Sequence, residues 1–208
     1  MAQILFVTHP EVVIDPAVPV PRWPLSAKGR ARMEALAEAM ASLPFRAVWS
    51  SDEQKAMDGA AILSARLNAP HHVDAQLGEN DRSATGYIAP PRFWEVVAEF
   101  FAHPDISVLG WETARDAQNR ILAAMARVAD EAAPGLTVVV SHGGVGQLLT
   151  AALQNVAIGQ EAKSPNPSGG GYLLLEVAPL RLVGDGWGDI DTITTDPRWA
   201  GLAMRPAV

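Results

Sequence analysis

The chain has no cysteine among its 208 residues. Disulfides, thiolate metal sites and a cysteine nucleophile are therefore excluded. Basic residues are also scarce, with 16 Lys and Arg against 23 Asp and Glu and a formal net charge of −7. A general nucleic-acid binder needs a basic face, so no nucleic-acid partner is expected. An anionic small molecule remains compatible, because one pocket can be basic on an acidic protein. No apolar run is long enough to span a membrane, so no membrane partner is expected. The first apolar stretch is short and lacks a basic lead; it does not read as a signal peptide, and the expected location is cytoplasmic. No Gly-x-Gly-x-x-Gly stands at a strand–helix turn, and Gly169-Gly170-Gly171 is not followed by Lys-Ser/Thr. Neither a dinucleotide site nor a phosphate loop is supported, and the triple glycine reads as the start of a strand.

What is present fits a globular protein: 49% hydrophobic and 19% charged residues. The length suits one domain over 1–208 with a sizeable core. Apolar runs at 3–8, 45–49, 72–74 and 136–141 read as strands, and 172–177 with 180–183 as a strand pair at a sheet edge. Helices are expected over 27–42 behind a Ser26 cap, over the stretch holding Ala56, Ala60, Leu63 and Leu67, around Phe93 to Phe101, over 111–133 and over 145–154. Residues 9–25 hold five prolines and read as a loop. Residues 77–109 are the least regular, and the segment after Val183 shows no pattern. Alternating strands and helices predict a three-layer α/β/α sandwich with a mostly parallel central sheet.

Two of the apolar runs end on a histidine: Ile4 to His9, and Thr137 to His142. In an open α/β fold ligands bind at the carboxyl ends of the strands, where both histidines would fall. Phosphoryl transfer needs an in-line nucleophile, neutralisation of the phosphoryl oxygens and a proton for the leaving oxygen. An imidazole serves as nucleophile when a hydrogen bond on its other nitrogen fixes the tautomer. His9 suits that role. His142, protonated, would donate to a phosphoryl oxygen, beside Gly143-Gly144 at the anion-attracting start of a helix. His71 and His72 are adjacent, would point to opposite strand faces and make a poor chelate. His103, before Pro104, ends a helix. Glu112 reads as a charge at a helix N-terminus.

Several segments occur in the order of the histidine phosphatase superfamily, which includes the phosphoglycerate mutases. They are Ile4 to Pro10, Pro24-Leu25-Ser26 with Gly29, Ser50-Ser51 with Lys55-Ala56 and Ala60, Leu77 with Glu79, and Val140 to Gly144. The chain resembles that family over residues 3 to about 155. The resemblance implies a phosphoglycerate mutase-like fold, with His9 the phospho-accepting nucleophile, His142 the second pocket histidine and Glu79 the proton donor. It also implies two-step transfer through phosphohistidine, with no metal or other cofactor, on a small phosphorylated substrate.

The chain departs from that pattern in three places. The family's Arg-His-Gly is Thr8-His9-Pro10, and threonine offers one hydroxyl in place of a charged fork. The second phosphate arginine aligns with Lys55, which keeps charge but not bidentate geometry. The threonine one turn beyond aligns with Gly59. Arg82 is the expected compensating cation, then Arg22, and Asp81 rivals Glu79 as donor. Two functions follow from this: a phosphatase, or a degenerate member that binds a phosphorylated ligand or partner without turnover. A purely structural domain would require both histidines to be incidental. A mutase is disfavoured by the short chain and by the 77–109 region.

Overall fold

The computed structural model describes residues 2–159, 166 and 168–199. The one-domain span of 1–208 thus includes residues outside the described ones. The strands are β1 (Ala2–Thr8), β2 (Phe45–Ser50), β3 (His71–Val73), β4 (Gly135–Ser141), β5 (Gly171–Glu176), β6 (Arg181–Leu182) and β7 (Gly188–Asp189). The α-helices are α1 (Ala27–Met40), α2 (Gln54–Leu67), α3 (Arg92–Ala102), α4 (Ala114–Glu131) and α5 (Gly143–Leu153). The sheet order is β3-β2-β4-β1-β5-β6, with β7 on β5. The first four of these strands run parallel, and β5 to β7 close one side in antiparallel fashion.

Side chains alternate across each strand, so one strand feeds two cores. Leu5 and Val7 of β1 pack with Val138, Val140, Met33, Leu36 and Leu63 under α1 and α2. Ile4 and Phe6 pack with Val139, Ile121, Met125 and Leu148 under α4 and α5. Both faces are covered, which is why β1 and β4 read as continuous apolar runs. Each such side chain, fully buried, contributes about 1.5–3 kcal/mol relative to exposure. The result is a mixed α/β fold with a mostly parallel central sheet, as expected.

Local capping explains most boundaries. Ser26 accepts the Gly29 N–H at 3.0 Å and starts α1 as expected. Gly29 itself packs on the Glu11 carbonyl so closely that a Cβ would collide with it, which accounts for the glycine in Pro-Leu-Ser…Gly. The main differences from the sequence reading lie at α4, α5 and the tail. α4 begins at Ala114, because the Thr113 hydroxyl accepts the Asp116 N–H at 3.0 Å. Glu112 therefore precedes the helix; its carboxylate takes the Arg120 guanidinium at 2.8 and 2.9 Å and the Asp81 N–H at 3.1 Å. α5 begins at Gly143, two residues early, so the glycine pair lies within its first turn. The unpatterned tail holds β7 and a 3-10 turn over Ile190–Thr195, whose Ile190 and Ile193 are buried against the α1 side. Among the described residues no helix is long and apolar enough to cross a membrane.

Candidate active site

The β1–β4 register builds the site. Thr8 stands opposite Ser141, so the next residue on each strand is a histidine at the strand's carboxyl end. The His9 N–H donates to the Ser141 carbonyl at 2.9 Å, and the His9 and His142 rings meet edge to face with centroids 5.2 Å apart. His9 Nδ1 lies 2.9 Å from the Pro10 carbonyl. A carbonyl only accepts, so Nδ1 carries the hydrogen and Nε2 keeps its lone pair. Burial, then the neighbouring His142 and Lys55, push the His9 pKa down to about 3, so the ring is neutral near pH 7.

His142 is fully buried at the N-cap of α5. Its Nε2 lies 2.7 Å from the Ser51 hydroxyl and 3.4 Å from Glu53 Oε1. Burial lowers its pKa, although Glu53 and Glu79 pull it upward. The expected protonated histidine is thus neutral in this state. Its Nδ1 is buried without a hydrogen-bond partner among the described residues, as is Nδ2 of Asn80, the neighbour of Glu79. A buried polar atom left unpaired costs about 1–3 kcal/mol, and such atoms mark places a ligand can satisfy.

Glu79 reaches the same corner. The hydroxyl of Ser141 donates to the Leu77 carbonyl at 2.7 Å and holds this loop at the end of β4. Arg120 braces it from α4, donating to the carbonyls of Gln76 and Gly78 at 2.9 Å and of Glu79 at 3.1 Å. The Glu79 carboxylate then accepts the N–H groups of Gly144 at 2.9 Å, Val145 at 3.0 Å and Asn80 at 3.1 Å. It satisfies two of the free donors at the α5 N-terminus. A Cβ on Gly144 would lie 2.6 Å from Glu79 Oε1, so glycine is required for this approach. Burial works to raise the Glu79 pKa, but Arg82, His142 and the Gly144 N–H outweigh it, and the carboxyl sits below its ordinary value.

The remaining predicted residues divide. Arg82 lies 3.6 Å from Glu79 Oε2 and is held between the Phe93 and Trp111 rings, 5.4 and 5.5 Å from their centroids. Gly143 is exposed, and its N–H has no partner among the described residues. Lys55 is buried beside the pair, but its ammonium is bonded to the Glu53 carboxylate and donates to the Val20 carbonyl at 3.0 Å. The Thr8 side chain is bonded within the fold. Its hydroxyl accepts the Gly171 N–H at 2.9 Å and donates to the Gly171 carbonyl at 3.3 Å, because β5 lies alongside β1 there. Arg22 sits exposed on a 3-10 turn, and no contact joins it to the histidines; Trp23 packs on Tyr87 instead. Asp81 is exposed and accepts the Ser83 N–H at 2.8 Å, whereas Glu79 is bonded at the start of α5 beside the histidines. Gly59 packs on Met33 and Val140 and brings no polar group. His71 bonds the Ser50 hydroxyl at 2.8 Å and His72 stacks on Trp49, outside the pair.

Sequence reasoning missed Glu53 and Arg120. Glu53 is the buried hub of the site, since its Oε1 also accepts the Glu79 N–H at 3.0 Å. Burial would raise its pKa, but His142, Lys55 and these hydrogen bonds hold it well below the carboxylate range. Burial meanwhile works against a charge on His142. The only signal was a carboxylate two residues before a lysine in the Ser-Ser segment. No group of three or more His, Asp or Glu side chains suited to a metal ion occurs among the described residues.

No curated protein sequence matches the chain. Solved structures share its fold. It superposes on YhfR of Bacillus stearothermophilus with a TM-score of 0.73 and 21% identity, covering 90% of this chain and 96% of that one. It superposes on a mycobacterial glucosyl-3-phosphoglycerate phosphatase in complex with inorganic phosphate with a TM-score of 0.71 and 21% identity, covering 91% and 99%. Residues 20–175 match the family model of the histidine phosphatase superfamily (branch 1), three quarters of the chain. With the paired histidines in place at the ends of β1 and β4, the chain belongs to the histidine phosphatase superfamily.

Proposed function

We propose that this protein is a metal-independent phosphatase that transfers the phosphoryl group of a small phosphorylated metabolite through His9. The observation that carries the reading is the setting of His9: Nδ1 is spent on the Pro10 carbonyl, which leaves Nε2 its lone pair, and the ring meets the buried His142 edge to face. The phosphatase names of structural neighbours support the reaction class.

In the first step Nε2 of His9 attacks phosphorus, the bond to the leaving oxygen breaks, and Glu79 delivers the proton that oxygen needs. The free N–H of Gly143, with Arg82 and His142, holds the phosphoryl oxygens. Water then attacks the phosphohistidine, releases phosphate and restores His9. The site is not rich in free charge, since Lys55 is tied to Glu53 and Thr8 to Gly171. Those two pairings favour the second reading, in which the pocket holds a phosphorylated ligand without turnover.

The test combines hydrolysis of aryl and alkyl phosphates with trapping of phosphohistidine. Turnover should persist in chelator, His9→Ala should abolish it, and label from a phosphate donor should appear on His9. Binding of phosphate or vanadate with no turnover of any phosphomonoester would select the second reading. Loss of activity in chelator, restored by metal, would defeat the phosphohistidine route.

A further inference from the structure

Among the described residues the charges around the histidine pair cancel. Glu53 and Glu79 are the two carboxylates, and Lys55 and Arg82 the two cations, each ion-paired to one of them. The histidines add nothing, because burial keeps both neutral near pH 7. The elements behind them add nothing either. Arg120 of α4 is consumed by Glu112 and by three backbone carbonyls, and Asp81 faces outward. The 20–22 turn offers only the exposed Arg22. Backbone N–H groups hold both carboxylates in their ionised form: Glu79 N–H on Glu53, and Asn80, Gly144 and Val145 on Glu79.

An ionised carboxylate is a hydrogen-bond acceptor only. So are the terminal oxygens of a phosphomonoester dianion. A fully ionised phosphoryl group would find donors at the Gly143 N–H and Arg82, but it would also bring its lone pairs and charge against the two carboxylates. A phosphoryl group carrying one proton instead offers a short, charge-assisted O–H···O⁻ bond.

We infer that this site takes its phosphoryl group in the protonated, singly charged form, and that Glu53 and Glu79 enforce that choice. The inference rests on the phosphatase reading and adds the protonation state of the substrate to it. It also resolves how an ionised Glu79 supplies a proton: the substrate brings one. The P–OH proton passes to Glu79. Nε2 of His9 then bonds to phosphorus, the P–O bond breaks with its electron pair on the leaving oxygen, and Glu79 returns the proton there. The alcohol departs. His9 keeps Nδ1–H, so an imidazolium bearing a doubly charged phosphoryl group has the same net charge, −1, as the starting pair.

The experiment uses the whole chain and two anions of one shape, phosphate and sulfate, measured by calorimetry from mildly acid to mildly alkaline pH. Phosphate should bind, and sulfate, which carries no proton in this range, should bind at least about a hundredfold more weakly. For an alkyl phosphate, kcat/KM should fall about tenfold per pH unit above the second pKa of the substrate, near ~6. With a substrate of lower second pKa the break should move down with it. Glu53→Gln removes one enforcing charge, so sulfate should gain affinity by at least about tenfold and the pH break should weaken; Glu79→Gln, checked for folding by circular dichroism, provides the second arm. Sulfate binding within tenfold of phosphate, or a pH break that ignores the substrate, overturns this inference and leaves the phosphatase reading standing. Absence of any phosphate binding or turnover at every pH overturns both.

Discussion

Thr8→Val separates two roles that the sequence could not tell apart. Threonine stands where the family has a phosphate-binding arginine, so a ligand role is the natural expectation. In the structure its buried hydroxyl instead bonds both the N–H and the carbonyl of Gly171 at the first residue of β5. The Thr8 carbonyl accepts the Gly170 N–H at 3.1 Å, so this one residue anchors the point where β5 meets β1. Valine keeps the shape and removes the hydroxyl. The buried Gly171 N–H is then left without its acceptor, at a cost of about 1–3 kcal/mol. For a chain of this size that lowers Tm by roughly 2–12 °C, at about 2–4 °C per kcal/mol. The companion measurement is kcat/KM on an aryl phosphate well below the melting range, where the loss should stay under about tenfold. A lost phosphate donor would instead cost on the order of 10²–10³ in rate with little change in Tm. That opposite pattern would refute the placement of Thr8.

Arg82→Ala should weaken phosphate or vanadate binding and reduce turnover by on the order of 10²–10³, because Arg82 is the cation beside Glu79; unchanged binding would remove it from the site. Gly144→Ala should leave the fold intact, since alanine favours a helix by up to ~1 kcal/mol over glycine. Its Cβ must nonetheless push the Glu79 carboxylate off the α5 N-terminus, so turnover should fall; full activity would show that this contact is dispensable. Stability should decline as pH falls below about 6.5. The folded pKa of His9 is depressed to about 3 and that of His142 is also lowered, so below the unfolded value the unfolded chain binds more protons. His9's share of the loss spans the interval down to about 3. His9→Gln should flatten the Tm-against-pH curve there, and an unchanged slope would contradict the neutral ring.

The sequence by itself determined most of the elements and the strand-end position of the two histidines. The apolar runs of β1 and β4, each closing on a histidine, and the helical spacing of Met33-Leu36-Met40 and Ile121-Met125-Val128 are local patterns, visible because a buried face repeats at the period of its own element. Tertiary structure decided which polar side chains were left free to act. Thr8 is spent on a residue 163 positions away, Glu79 on the first turn of a helix 65 and 66 positions on, and Lys55 on a buried carboxylate that itself faces His142, 89 positions away. Asp81 and Glu79 look alike in the sequence, and only the Ser83 turn and the α5 N-terminus set them apart. Residue type states how many hydrogen bonds a side chain can make; the fold, by bringing distant donors and acceptors together in a buried corner, decides which are already made and so what charge remains for a ligand.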